Sequence, residues 1–386
     1  MIKVLLVNDN LRLPAGITMV IKNIIDNTDC SDVVFSILTI ESERNNALEH
    51  FQSKGVEIFY MPLETSTSSN NRIKKLVSKL NVLSLFSLRS FFVDFFKNKH
   101  FDVVHSHFAQ IDNIMFPIAK KNGVKCCMSH SHSSKLSDSF FRAVRNKILC
   151  HGLVDLADCC AACSESAGIA LFGNSFIHSS KRVIINNGIH LDSFAYNEQG
   201  RSHIRRKYGI SDDTFLIGNV GRLNKVKNQS FLIDILAEII TKDCKYKLMF
   251  VGNGECEDEL RQKVDKMNLS ESVFFTGAQS EIAPFLSAFD IFVMPSLHEG
   301  LGISAIEAQA NGLECILSSS IPNEVDLTGV KFLDIADNHS EWVRAILLSS
   351  KKHHLNFKQM VFDGGYDIRS VCDKLTILYR EKVENE

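Results

Sequence analysis

Short apolar runs recur along the chain, separated by longer segments that read as amphipathic helices or polar loops. The runs are Ile2–Val7, Val33–Leu38, Glu57–Tyr60, Asp102–Val104, Val124–Met128, Cys159–Cys163, Val183–Ile185, Phe215–Val220, Lys247–Val251, Val273–Phe275, Ile291–Met294 and one that starts near Cys315. Strands that are apolar without interruption are covered on both faces, as in a parallel sheet. Helices are expected up to Ile25, near Asn45–Lys54, over Phe140–His151, from about Ile303 to Asn311, and from about Ile368 to Val383. Strand alternating with helix predicts an α/β protein.

The richest stretch is Ile291–Ile316, a strand stopped by Pro295, a loop His298-Glu299-Gly300-Leu301-Gly302, a helix closed by Gly312, and another strand. In such units ligands sit at the carboxyl edge of the sheet, against the start of the helix. Glu299 lies in the loop and Glu307 about one turn into the helix, so both can face one cleft. Taken singly, each also reads as an ordinary surface charge. Glu307, however, sits between Ile306 and Ala308 in a helix short of polar residues, and a buried carboxylate needs a partner.

At 386 residues the chain is long enough for two or three domains. A formal charge of −2 gives no electrostatic case for nucleic acid. Met1–Val7 is too short for a signal peptide and reads as a strand, and no apolar run approaches the roughly 18 residues of a membrane span. The eleven cysteines lie mostly in apolar strands, which predicts reduced thiols in the cytoplasm, with Cys160 and Cys163 inert.

Three further features shape the expectation. Residues 72–99 combine Lys, Arg and Phe with a single acid, Asp94, and read either as a helix resting on an anionic membrane or as a helix packed on the sheet. His105 and His107 follow one strand, and His130 and His132 follow another. They become neighbours if those strands are adjacent, and a metal site is then one reading, but no nearby carboxylate completes it. Asn197–Asp213 is polar and charged, as in a linker.

The string from Glu299 through Glu307 to Gly312 resembles the donor-site signature of retaining glycosyltransferases of family 4, closest to members that build bacterial exopolysaccharide, capsule or O-antigen. Arg222 and Lys227, after the strand Phe215–Val220, match that family's basic pair. Asn187-Gly188-Ile189-His190 resembles its domain-closing turn, with His190 in place of Asp. Only Gly16 matches its first Gly-Gly pair, Ala15 replacing the other glycine, and Ser133 replaces the acidic or amide neighbour of His132. The resemblance implies the GT-B fold: Rossmann-like domains at 1–196 and 214–367 facing across a cleft, a linker at 197–213, and a helix at 368–386 crossing back.

It further implies transfer of a sugar from a nucleoside diphosphate sugar, UDP-linked before GDP-linked, to a hydroxyl of a growing or lipid-linked surface glycan, with retention. Arg222 and Lys227 would stabilise the departing diphosphate, helped by Gly16 and by amides at Gly300, Leu301, Gly302 and Ile303. Gly252, Asn253 and Gly277 would bracket the base, Glu307 the ribose and Glu299 the sugar. His132 would contact the sugar near its reacting carbon, with His107 and His130 on the acceptor side. No Asp-x-Asp motif occurs, so no metal and no other cofactor is expected. The expected location is the cytoplasm, at the inner face of the membrane. A catalytically silent nucleotide-sugar binder and a nucleotide-sugar epimerase are the alternatives.

Overall fold

The computed structural model describes residues 1–13, 16–40, 45–62, 82–137, 139–336 and 339–384. Two compact units emerge, one of Met1–Gly188 with Ile368–Glu386, the other of Ile189–Asp367. Each is built on an all-parallel sheet covered by helices.

The first unit holds strands β1 (Ile2–Asn8), β2 (Val33–Thr39), β3 (Glu57–Tyr60), β4 (Val103–Ser106), β5 (Cys126–Ser131), β6 (Cys159–Ala162) and β7 (Arg182–Ile184), in the order β3-β2-β1-β4-β5-β6-β7. The order reverses between β1 and β4, and such a reversal opens a crevice at the carboxyl ends of the two strands. β5 runs through Ser131, further than its apolar run predicts. Asp112 explains part of this, because it accepts a 2.6 Å hydrogen bond from Ser129 Oγ inside the sheet's cover. The C-terminal helix Ile368–Glu384 buries Val371, Leu375 and Tyr379 in this unit's core.

The second unit holds β8 (Phe215–Val220), β9 (Tyr246–Val251), β10 (Val273–Phe275), β11 (Ile291–Met294), β12 (Cys315–Ser318) and β13 (Lys331–Leu333), in the order β10-β9-β8-β11-β12-β13. Its reversal lies between β8 and β11. β13 is short and half-exposed, and its apolar pattern is too weak to predict a strand.

Three expectations change. The units divide at Gly188 and Ile189 rather than at 196, because Ile189 pairs with Asp367 and its N–H donates to the Tyr366 carbonyl at 2.8 Å. The linker expected over 197–213 contains instead a helix, Glu198–Lys207, whose start Asn197 caps by accepting from the amides of Gln199 and Gly200. Two of that helix's charges, Arg201 and Arg205, point at one buried acid. Asp290 receives Arg201 at 2.7 Å, Arg205 at 3.3 Å and the Leu216 amide at 2.7 Å.

The third change concerns 72–99, of which residues 72–81 lie outside the described residues. In the described part the helix Val82–Asn98 buries Leu88, Phe92, Phe95 and Phe96, and Phe95 packs edge-on against Phe59 and stacks on Phe101. In this described part the buried aromatic residues pack on the core, as the second of the two readings expects. Among the described residues no helix is long and apolar enough to cross a membrane.

The Asp290 cluster allows a test of how the Glu198–Lys207 helix is held. Asp290→Ala leaves buried guanidinium groups without their acid and is expected to cost about 3–5 kcal/mol. Urea unfolding of the purified variant measures it, and a loss below about 1 kcal/mol rejects the cluster as the helix anchor.

Candidate functional site

In the second unit the loops after β8, β9 and β10 are joined through their backbones. Gly221 N–H donates to the Val251 carbonyl at 3.0 Å, Leu223 N–H to that of Asn253 at 2.9 Å, and Gly252 N–H to that of Gly277 at 2.9 Å. A Cβ on Gly252 would fall on the Gly221 carbonyl oxygen and one on Gly254 on the Leu223 carbonyl oxygen. These glycines are thus required by the approach of chain to chain, and the turns expected to bracket a base form one rigid edge.

Lys227 stands over the β8–β11 reversal. Its Nζ lies 2.7 Å from Glu299 Oε1, both side chains being mostly buried, and 3.9 Å from Met294 Sδ at the end of β11. Its backbone N–H is held by Asn224 Oδ1 at 3.0 Å. Arg222 is placed differently. Its side chain is 70% exposed and paired with Glu255 at 3.0 Å, so the expected basic pair is split between a sheltered lysine and a solvated arginine.

The helix Ile303–Ala310 starts at Gly302, which has φ 91° and no side-chain cap. A side chain at Gly302 would be strained and would crowd Met294. Of the first-turn amides, that of Ala305 bonds back to the Gly302 carbonyl at 2.9 Å, and those of Ile303 and Ser304 have no side-chain cap, with Leu301 buried and Gly300 and Ile303 half-buried around them. Ser304 Oγ is 3.6 Å from Met294 Sδ. Glu307 lies one turn on. Burial pushes its carboxyl up to about 8, and the Lys227 ammonium works against that shift. One cation therefore serves two carboxyls, a direct contact to Glu299 and a field at Glu307.

The first unit carries the histidines. β4 and β5 are neighbours, and the four rings stack with centroids 4.0 to 5.2 Å apart between neighbours. His105 Nε2 meets His130 Nδ1 at 3.0 Å, and His107 Nδ1 meets His132 Nε2 at 2.7 Å. His105 Nδ1 is bonded to the Tyr379 hydroxyl at 2.6 Å. Burial drives the rings toward the neutral form: His105 falls to about 3 and His132 to about 4, while His107 and His130 fall well below the usual range.

For His105, His107 and His130, one nitrogen per ring can be chosen so that all lie within 4.8 Å of one another, a set that could hold a metal ion. Neutral imidazole suits zinc or copper, although two of these rings already share the 3.0 Å contact. His107 Nε2, His130 Nε2 and His132 Nδ1 are buried without a hydrogen-bond partner. Gly16 opens the helix Gly16–Asn27, with nothing within 4 Å of where its Cβ would be. Ala15 lies outside the described residues.

The structure therefore brings Lys227, Glu299 and Glu307 together in one unit, and His107, His130 and His132 in the other. Arg222 is turned to Glu255, and Asn253 is an exposed loop residue. Glu255, Met294, His105 and Tyr379 also belong to these settings. His105 was visible in its His-Ser-His spacing. Tyr379 is distant in the chain, and its helix gave no sign of which face would meet β4.

The family described as Glycosyl transferases group 1 matches residues 200–346. Over 378 residues the chain is 30% identical to the protein of Bacillus subtilis (strain 168) named putative glycosyltransferase EpsF, covering 96% of this chain and 94% of that one. It is 25% identical over 362 residues to UDP-Gal:alpha-D-GlcNAc-diphosphoundecaprenol alpha-1,3-galactosyltransferase of Escherichia coli, with 89% of each chain covered. The crystal structure of Anabaena Alr3699/HepE in complex with UDP and glucose shares the fold, with a TM-score of 0.75 and 15% identity over 99% of this chain and all of that one.

The shift at Glu307 has a sign that can be checked. Its ordinary value is 4.5 and its folded value about 8, so between them the folded chain keeps a proton that the unfolded chain has released. Stability is then lost as pH rises through that window and is level above it. Glu307→Gln removes this loss, so the variant's Tm relative to the native chain should climb between about pH 5 and about pH 8 in differential scanning calorimetry. A relative Tm that falls over that range overturns the assignment.

Proposed function

The chain belongs to the group 1 glycosyltransferases, and from that premise we propose that it moves a sugar from a UDP-sugar to a hydroxyl of a growing or lipid-linked bacterial surface glycan. The anomeric configuration is retained. The observation that carries this reading is Lys227, held 2.7 Å from Glu299 beside the raised carboxyl of Glu307 where β8 and β11 part. A phosphate-seeking cation, two acids able to accept from sugar and ribose hydroxyls, and uncapped helix amides share one sheet edge.

When the donor binds, Lys227 exchanges Glu299 for the diphosphate, and Glu299 turns to the hydroxyls of the sugar. Arg222 leaves Glu255, an exposed pair that is easily given up, and adds a second positive charge. The amides at Gly300 to Ile303 complete the anion site. Glu307 takes the ribose hydroxyls, and Gly252, Asn253 and Gly277 frame the base. Hydrogen bonds donated to Glu307 favour its charged form.

The acceptor oxygen attacks the anomeric carbon on the face from which the phosphate departs. The carbon–oxygen bond to phosphate breaks with its electron pair on the leaving oxygen, which takes the acceptor's proton. No protein nucleophile is needed, and no metal bridges the diphosphate. His132 serves the sugar near the reacting carbon, with His107 and His130 on the acceptor side, kept neutral by burial.

The Anabaena structure holds UDP and glucose, which supports UDP as carrier. The Escherichia coli relative's name gives a diphosphoundecaprenol-linked acceptor, which supports a lipid-linked one and a working place in the cytoplasm at the inner face of the membrane.

The test is UDP release from a panel of UDP-sugars without acceptor, followed by product analysis with lipid-linked glycans. Slow release is expected from the native chain with no added metal, whereas a silent binder releases none. Lys227→Ala is expected to lose on the order of 10²–10³ in rate, and Arg222→Ala a smaller factor because its ground-state pair is solvated. Near-native release by a folded Lys227→Ala protein rejects the electrostatic role.

A further inference from the structure

The helix Phe140–Leu149 is turned inside out. Its buried face carries a polar residue, Asn146, whose Nδ2 donates to the Leu136 carbonyl at 2.8 Å while its Oδ1 accepts from Arg145. Its large apolar side chains face outward: Phe140, Phe141, Val144 and Ile148 are 76%, 84%, 44% and 69% exposed. Residues spaced by three and four share one face of a helix, so these four make a single stripe. Among the described residues no other helix exposes more than two large apolar side chains.

The charges around the stripe are of one sign. Arg142 and Lys147 are exposed, Arg145 flanks them, and the helix contains no acid. Between His132 and His151 there are four basic residues, Lys135, Arg142, Arg145 and Lys147, against the single acid Asp138. Basic residues beside exposed phenylalanine and isoleucine on one helix are the composition of segments that lie in the headgroup region of a bilayer, where the surface is negative. A second copy of the chain suits the face less well. A two-fold contact sets each patch against itself, bringing cations toward cations. The helix also begins eight residues after His132, so a surface docked here lies beside the histidine end of the first sheet.

We propose that the helix Phe140–Leu149 is a docking face for an anionic phospholipid surface, with Phe140, Phe141, Val144 and Ile148 entering the headgroup region and Arg142, Arg145 and Lys147 meeting lipid phosphates. The described part of the stretch 72–99 buries its aromatic residues inside the first unit, whereas this helix presents its apolar side chains at the surface. The proposal stands on this helix alone and not on the transfer reading, although a lipid-linked acceptor would be met at such a surface.

The test uses the full chain and vesicles of phosphatidylcholine alone or with phosphatidylglycerol. The native chain should sediment with the anionic vesicles, far less with the neutral ones, and less as salt is raised. The double variant Phe141→Glu, Ile148→Glu should lose at least about tenfold in partitioning while still releasing UDP slowly from a UDP-sugar. That retained release separates loss of docking from loss of the transferase reading. Phe141→Trp offers a second readout, because the native Trp342 is buried: its emission should shift to the blue on anionic vesicles. The proposal fails if the native chain ignores anionic vesicles, if it binds neutral ones equally, or if the double variant partitions like the native chain. It also fails if the face instead forms a dimer that the double variant abolishes.

Discussion

An ammonium group 2.7 Å from a carboxylate, Lys227 against Glu299, ties together the loops that leave β8 and β11. Solvent is largely kept from both side chains, so the contact is stronger than a surface ion pair and is costly to leave without a replacement. A dianionic ligand offers that replacement. In the proposed reading the pair keeps the lysine positioned until a phosphate competes for it, and that exchange frees a carboxylate for the sugar. Much of the second unit serves to hold these loops: Gly302 lets the chain turn under Met294, and the backbone bonds among Gly221, Leu223, Gly252 and Gly277 fix the edge from which Lys227 projects.

Burial acts on the two units in opposite directions. At Glu307 it raises an acid to about 8, so that in the absence of ligand the carboxyl tends to keep its proton and only Lys227 opposes this. At the histidines it lowers bases, to about 3 at His105 and about 4 at His132, so that the rings stay neutral and can both give and accept hydrogen bonds. In both cases desolvation disfavours the charged form: at neutral pH it protonates Glu307, and it keeps the histidine rings neutral well into acid. The raised carboxyl of Glu307 therefore adds little negative charge beside Lys227, and the carboxylate that holds this cation is Glu299.

The outer surface follows a different rule. Apolar residues at helical spacing normally point inward, and the helix Val82–Asn98 obeys this with Leu88, Phe92 and Phe96 buried. The helix Phe140–Leu149 has comparable apolar content and does the reverse. Periodicity reports that a helix has an apolar face without reporting which way the face is turned. That direction depends on what the rest of the unit leaves uncovered, and here Asn146 takes the inner place by bonding to the Leu136 carbonyl.

By itself the sequence determined the elements and their class. Short, largely apolar runs such as Ile291–Met294 and Phe215–Val220, alternating with helical patterns, read as strands covered on both sides, and the residues that follow them, Pro295 and Gly221, mark where the strands stop. The grouping of Glu299 with Glu307 was also legible, because they share one loop and one helix. Tertiary structure decided what depends on contacts distant in the chain: that Glu198–Lys207 is a helix anchored on Asp290, that Arg222 turns to Glu255 while Lys227 turns to Glu299, and that Tyr379 closes the histidine stack. The physical reason is that a strand's pattern is set by its own burial period, whereas a charged side chain points wherever its partner is, and the partner's place is known only once the sheet order brings it there.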